Sequence, residues 1–530
     1  MAAHVAIVRA RMAHHPHDPD LIAAATATLL DVALEPIVEM VLTHHDGVYE
    51  ARAIDGFVRF ARQPTDRGWA FEVKETEGRN PIGDQAVDRF AGLESELANR
   101  FPPRRDNAYP HAYEQISQLF DATHAPDLCV IHTAAHNWED HGGHRGEHGS
   151  LAVVQARAPF IAAGKGVRNL GMVDRAARLV DVAPTICTLL GTAPVSGRSL
   201  NGTVHDDMLL ARQDGEALVD LLDPLERPSH VVAFLLDGAN PNVLYAMAAR
   251  GEAPNVARLM EMGSTLRFGA MAGLPTVTLA NHTSNLTGAY PGHHQVLHNA
   301  WYDRHGAQQV ITNSPLHWPT AMQWLADGTE TIHSAVHRTW ADAFSASINE
   351  PCDVAADYST FDFFRRGEIP PIPQSPEGLP HVTERFVRPI KEYGWASVVD
   401  HLAVEQAVGI WEGHYRDVTY PAPRFMWVNF TLTDTAFHAG GPHSDVGAAA
   451  VRDTDARIGD ILAAVERAGA FDDTAFLLVA DHGMEETDPE VTGDWDVALR
   501  DAEIPFRDEG YGFVYLGADV LTGGLDSRSY

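Results

Sequence analysis

Asp481-His482-Gly483 follows the apolar run Phe476-Leu-Leu-Val-Ala480, so a carboxylate and an imidazole stand side by side at the end of a strand-like segment. Both are ligands for a divalent metal. Neighbouring strand residues point to opposite faces, so the pair can share one ion only if the backbone bends there, and Gly483 is expected to permit the bend. Two further acids sit in the same way: Asp237 after Val-Val-Ala-Phe-Leu-Leu, and Asp434 after Val-Asn-Phe-Thr-Leu-Thr. One such Asp is ordinarily a helix cap. Three, with His438 four residues after Asp434 on a shared helical or loop face, point instead to metal. Asp237, Asp434, His438, Asp481 and His482 are too many donors for one tetrahedral ion, which implies two. Oxygen and imidazole donors suit zinc, with manganese or iron as alternatives.

Leu274-Pro-Thr-Val-Thr278-Leu-Ala-Asn-His282 adds a hydroxyl at a place where a helix can begin. A metal can deprotonate such a hydroxyl, and a helix N-terminus stabilises the alkoxide and a nearby phosphate.

The elements that would carry these residues form an α/β protein with a mostly parallel central sheet flanked by helices. Strands are expected at 230–236, 424–430, 475–480 and 512–516, with helices at 446–468 and about 395–411. Residues 301–420, rich in Pro and aromatics, are expected to form a cap insertion. The front of the chain reads differently, as a helix at 20–32 and a small antiparallel meander over 44–75. A buried strand at 127–131 then runs into a histidine-rich loop over 132–150. Residues 201–228 read as a polar connector, separating 1–200 from 229–530.

At 530 residues the chain exceeds the usual size of a single core. Its 45% hydrophobic and 21% charged content is that of a globular protein. A net charge of -33 excludes a non-specific grip on a nucleic-acid polymer, whereas a small phosphorylated substrate remains compatible because bound cations reverse the local field. Cys129, Cys187 and Cys352 have no paired spacing and are expected as free thiols. Residues 1–20 lack an apolar leader, and no run of about 18 apolar residues occurs, so a cytoplasmic protein without a membrane partner is the expectation.

The segments Phe-Leu-Leu-Asp237-Gly, Pro-Thr-Val-Thr278-Leu-Ala-Asn-His, Tyr290-Pro-Gly-His-His294 with Asn299 and Asp303, Asp434-x-x-x-His438 and Ala-Asp481-His482-Gly-Met resemble the alkaline phosphatase superfamily. The likeness is strongest to its nucleotide pyrophosphatase/phosphodiesterase and phosphonoacetate hydrolase branch. That resemblance implies a Thr nucleophile, here Thr278, between two zinc ions, and an Asn, here Asn299, that holds a phosphoryl oxygen. Ala280 departs from the Pro of many relatives.

The resemblance also implies a third ligand for one ion, a His in a Gly-x-His-Gly setting downstream of the Asp-His pair. No histidine follows His482. The matching segment stands at the front instead, as Gly146-Glu-His148-Gly, followed by stretches 158–164 and 180–191 that resemble the family's closing strand and helix. The chain therefore reads as a circular permutation, with His148 chosen over His132, His136, His141 and His144. One ion would take Asp434, His438 and His148; the other would take Asp237, Asp481, His482 and Thr278. The expected activity is hydrolysis of phosphodiesters or nucleotide pyrophosphates through a phosphorylated Thr. Phosphomonoester or phosphonoacetate hydrolysis is the alternative, and an inactive metal-stabilised binding protein is the alternative of another class.

Overall fold

The computed structural model describes residues 18–137, 143–368, 391–510 and 512–521. Its centre is an eight-stranded sheet in the order Tyr358–Ser359, Ser345–Ile348, Phe425–Phe430, His230–Leu236, Thr474–Val479, Phe160–Gly164, Gly263–Leu266 and Gly171–Val173. The first five strands run parallel to one another. Phe160–Gly164 runs antiparallel to both its neighbours. The three middle strands are buried along almost their whole length, which accounts for their unbroken apolar sequences. Helices Asp445–Arg467, Pro241–Ala249 and Val182–Leu190 bury apolar residues in the same core.

Phe160–Gly164 comes from the front of the chain and Thr474–Val479 from near its end, yet Ala162 pairs with Leu477. A short second pairing, Gly146–Glu147 with Glu485–Glu486, extends the same seam. These two pairings carry the histidine-rich front loop to the tip of the Asp481 strand.

A seven-stranded antiparallel sheet stands apart from the central one. The meander strands Val38–His45, Val48–Ala53, Gly56–Pro64 and Trp69–Gly78 continue through Leu128–His132 into Phe513–Leu516 and Phe506–Asp508. The last strand expected in the α/β series thus belongs to the meander's sheet, where Phe513 pairs with Cys129. A short apolar run fixes a strand but not its partner. The polar stretch after 200, which carries no strong strand signal in sequence, contributes Val204–Met208 to a hairpin with Val195–Arg198. Within 301–420, Ser345–Ile348 and Tyr358–Ser359 form one edge of the central sheet, ahead of the helix Lys391–Trp411. All three cysteines are buried free thiols. Among the described residues no helix is long and apolar enough to cross a membrane.

Candidate metal centre

Asp237, Asp434 and Asp481 all emerge just beyond the carboxyl ends of adjacent parallel strands, the edge at which open α/β sheets gather ligands. Asp481 lies in a bend directly after its strand. Gly483 serves this bend through space rather than through an unusual dihedral. A Cβ there would stand 2.2 Å from the Val154 carbonyl and 2.5 Å from that of Arg157. Gly238 combines both needs: its φ is +63°, a Cβ would press on Asp434, and its N–H donates to Asp481 Oδ1 at 3.0 Å.

Asp434 occupies the first turn of helix Leu432–Gly440 and His438 the next, with Oδ1 and Nε2 3.3 Å apart. His148 reaches the same point from the front of the chain. Its Nε2 is 3.2 Å from His438 Nε2 and 3.8 Å from Asp434 Oδ1. Its ring stacks on His482, with centroids 3.6 Å apart. His482 Nε2 in turn lies 3.1 Å from Asp481 Oδ2 and 3.8 Å from Asp237 Oδ1. Two sets of donors thus abut, His148 with Asp434 and His438, and Asp237 with Asp434 and His482.

Each of these imidazoles uses its other nitrogen on a backbone carbonyl. His148 Nδ1 donates to Thr276 at 2.8 Å, His438 Nδ1 to Gly146 at 2.9 Å, and His482 Nδ1 to Gly483 at 2.9 Å. That anchoring leaves the Nε2 lone pairs directed at the carboxylates, as in metal-bound histidines. Asp237 Oδ1, Asp434 Oδ1, Asp481 Oδ2 and His482 Nε2 are buried without a hydrogen-bond partner. Isolated buried polar atoms of this kind are costly, and four converging ones fit a cation.

The electrostatics agree. Burial raises the Asp237 carboxyl well above the usual range, and the charges of Asp481 and Asp434 add to this. Burial opposes charge on Asp434 and Asp481 too, but His438 holds the first below the ordinary range and His482 the second. Against burial, Asp434 and Glu147 lift His438 to about 10, and Asp481 lifts His482 to about 9. His148 is pushed well down by burial, then by its neighbours His482 and His438. A divalent cation would keep the carboxylates ionised and the imidazoles neutral together.

Thr278 is the first residue of helix Thr278–Thr287, so its hydroxyl stands at the positive end of the helix dipole. It lines a cavity of about 480 Å³ together with Asp237, Asp434 and His282. Asn299 is tied to this spot because its Oδ1 accepts the N–H of Leu279 at 3.3 Å. Among the competing histidines, His132 and His136 hydrogen-bond to each other through Nδ1, and their Nε2 atoms are engaged by Trp495 and by the Gly493 carbonyl. His144 stands beside His438 and bonds Glu147 at 2.7 Å. His141 lies outside the described residues.

Two residues of the centre escaped the sequence. His282 Nε2 lies 3.5 Å from Asp481 Oδ2 and 3.7 Å from Asp237 Oδ2, and Glu350 holds its Nδ1 at 2.8 Å. The spacing of His282 four residues after Thr278 was the available signal, since both share one helix face. Glu350 carried none, because Ser345-Ala-Ser-Ile348 before it has little strand character in sequence.

Residues 231–526 match the family model of type I phosphodiesterase / nucleotide pyrophosphatase. The chain belongs to that family. An uncharacterized pyrophosphatase/phosphodiesterase of Schizosaccharomyces pombe is 28% identical over 116 residues, which cover 21% of this chain and 23% of that protein. Ectonucleotide pyrophosphatase/phosphodiesterase family member 3 of Mus musculus is 22% identical over 262 residues, 48% of this chain and 25% of that protein. The chain thus spans only about a quarter of the length of these curated relatives. Among solved structures, murine ectonucleotide pyrophosphatase/phosphodiesterase 5 in complex with AMP aligns at 14% identity and a TM-score of 0.31, covering 48% of this chain and 57% of that one. In this family member, Asp237, Thr278, Asp434, His438, Asp481 and His482 all fall within the matched range, whereas His148 lies before it.

Proposed function

We propose that this phosphodiesterase-family chain hydrolyses phosphate esters with two divalent cations, and that phosphodiesters or nucleotide-like pyrophosphates are its substrates. The observation that carries the reading is the convergence of buried, unpartnered carboxylate oxygens with imidazoles anchored through Nδ1. His148, Asp434 and His438 would hold one cation. Asp237, Asp481, His482 and Thr278 would hold the other. Zinc suits this donor set best, with manganese or iron as substitutes. When bound, the cations supply Lewis acidity that lowers the pKa of the Thr278 hydroxyl and offsets charge on the attacking and leaving oxygens.

Thr278 Oγ attacks phosphorus in line, forming a Thr–O–P bond as the bond to the leaving oxygen breaks. Water then cleaves the phosphothreonine and returns the hydroxyl. The helix N-terminus behind Thr278 stabilises the alkoxide before attack, and the Asn299 amide steadies a phosphoryl oxygen. Trp318, Phe361 and Trp395 line the cavity beside Asn313, Asn349 and Asn429. Flat apolar walls interleaved with amides favour a leaving group with a ring face and polar edges, which supports the diester or pyrophosphate reading.

The front segment reads as the family's closing part moved ahead of the rest, and the pairing of Phe160–Gly164 with Thr474–Val479 supports that permutation. The test combines metal analysis with a panel of aryl phosphodiesters, phosphomonoesters, nucleotide pyrophosphates and phosphonoacetate. Diester or pyrophosphate turnover is expected, abolished by Thr278→Ala with the metal retained. Preferred turnover of monoesters or phosphonates would reverse the substrate order. A metal-loaded protein with no turnover is a binding protein, and loss of metal in His148→Ala is the outcome expected from the permuted site.

A further inference from the structure

We infer that Asn429, locked by Asn349, selects the leaving group: its Oδ1 accepts a hydrogen bond from an N–H or O–H on the ring of the ester, so esters that carry such a donor are the preferred substrates. The inference rests on the phosphodiesterase reading above and deepens it by naming a chemical group the substrate must bear.

Asn429 is the penultimate residue of strand Phe425–Phe430 and pairs with Leu235, two residues before Asp237. Side chains two apart on a strand share a face. Trp427, on the face of Asn429, donates through Nε1 to Glu350, which holds His282 of the Thr278 helix. Asn429 therefore stands on the side of the sheet that carries Thr278, and both line the same cavity. The next strand outward, Ser345–Ile348, is continued directly by Asn349. Along the carboxyl edge of the sheet, the strand ends thus pass from the carboxylates Asp481 and Asp237 to the amides Asn429 and Asn349.

The two amides fix each other. Asn429 Nδ2 donates to the Asn349 carbonyl at 3.0 Å, and Asn349 Nδ2 donates to the Asn429 carbonyl at 3.2 Å. Turning the Asn429 amide over would set two oxygens against each other, so its Oδ1 is held as an acceptor. Asn349 is held in turn, with a φ of +55° and an N–H that donates to Thr360 Oγ1 at 2.8 Å. Asn429 is 3% exposed, and its Oδ1 is buried with no hydrogen-bond partner. Other polar groups of the cavity are committed elsewhere. Thr431 Oγ1 donates to Asp400 at 3.0 Å, Thr435 Oγ1 donates to the Thr431 carbonyl at 3.3 Å, and Asn313 Oδ1 accepts from Trp318 Nε1 at 2.7 Å. A buried acceptor left unpaired is costly, and a donor on the substrate removes that cost. A pocket built in this way rejects the same ring without the donor.

The test compares kcat/KM of the metal-loaded full chain for methyl aryl phosphodiesters in matched pairs. The pairs are hydroxymethyl against ethyl and amino against methyl, each at the meta and para positions of the ring. Members of a pair have nearly the same shape and leaving-group acidity, so their ratio reads the hydrogen bond. No turnover of any of them defeats the phosphodiesterase reading itself. Given turnover, the best-placed donor should be preferred over its alkyl partner by about 10- to 100-fold. Asn429→Ala should abolish that preference while bound metal, by elemental analysis, stays at the parent level. Asn429→Asp, which keeps an oxygen at the same place and decides the matter if Asn429→Ala does not fold, should retain it. Pairs turned over alike by the parent, a preference that survives in Asn429→Ala, or one that vanishes in Asn429→Asp, overturns the inference.

Discussion

Two clusters in this molecule both join aspartates to histidines and behave in opposite ways, and only the second adds arginines. At the strand tips, Asp237, Asp434, Asp481, His148, His438 and His482 converge with several donor atoms unpartnered. Elsewhere, His293 bridges Asp214 at 2.5 Å and Asp121 at 3.0 Å, Arg212 pairs with Asp214 at 2.8 Å, and Arg62 donates to Asp121 at 2.7 Å. There every charge meets its opposite within the chain. Arg62 belongs to a meander strand, Asp214 to the stretch after 200 and His293 to the segment after the Thr278 helix, so this cluster rivets three regions together. The arginines supply, in the second cluster, the internal charge balance that the candidate metal centre lacks.

The largest expected effect breaks the centre. Asp434→Ala or Asp481→Ala should lower hydrolysis by on the order of 10²–10³-fold or more and remove bound metal, read by elemental analysis and steady-state kinetics. In chelator-stripped protein both changes should lower thermal stability, because each strips a buried imidazole of its carboxylate partner, whereas Asp237→Ala relieves like charges and should leave stability unchanged or raised. Next, His293→Ala should destabilise by about 1–3 kcal/mol in denaturant melts without altering metal stoichiometry, since it removes one partner from buried Asp214 and half-buried Asp121 while Arg212 and Arg62 remain on them. Lost metal in that variant would merge the two clusters into one.

Chelation should lower the stability of the parent by about 2.7 kcal/mol for each cation removed, relative to protein held at 100 times the metal dissociation constant, and calorimetry at varied free metal checks the slope. The smallest effect is a pH slope. Burial opposes charge on His293, but Asp214 and Asp121 raise its pKa above 6.5. Its contribution is therefore complete below the unfolded pKa of about 6.5 and is lost as pH rises through the higher folded value, at no more than about 1.4 kcal/mol per pH unit. His293→Gln should flatten that limb in chelated protein. For Asp121, burial is outweighed by His293 and Arg62, which hold it at about 2. Its share is present above the unfolded value and fades as pH falls toward 2.

Much of the centre was legible because strand-tip acids and i, i+4 pairs follow from local geometry. Asp237, Asp434, His438, Asp481 and His482 needed only an apolar run and a bend. His148 needed the likeness of its surroundings to a closing segment, since the Gly-x-His-Gly setting that separates it from His144 carries meaning only through that likeness. Glu350 was invisible for a different reason: its partner His282 lies 68 positions away, and a weakly strand-like tetrapeptide delivers it. Gly483 was read as a hinge, and proved to be a gap filled by two carbonyls. The strand Phe513–Leu516 was found, but sequence could not tell which of two sheets it completes.

The pairing of Ala162 with Leu477 also sets a timetable. Phe160–Gly164 leaves the ribosome with one of its two sheet neighbours some three hundred residues behind it, and at 5–20 residues per second that interval is roughly 15–60 s. During that time an apolar strand destined for the middle of a sheet has an open edge, as does Leu128–His132, which awaits Phe513–Leu516. The nascent front half is thus the part of this protein most in need of chaperone cover. The candidate metal centre, stitched from both ends, is among the last features synthesis can complete.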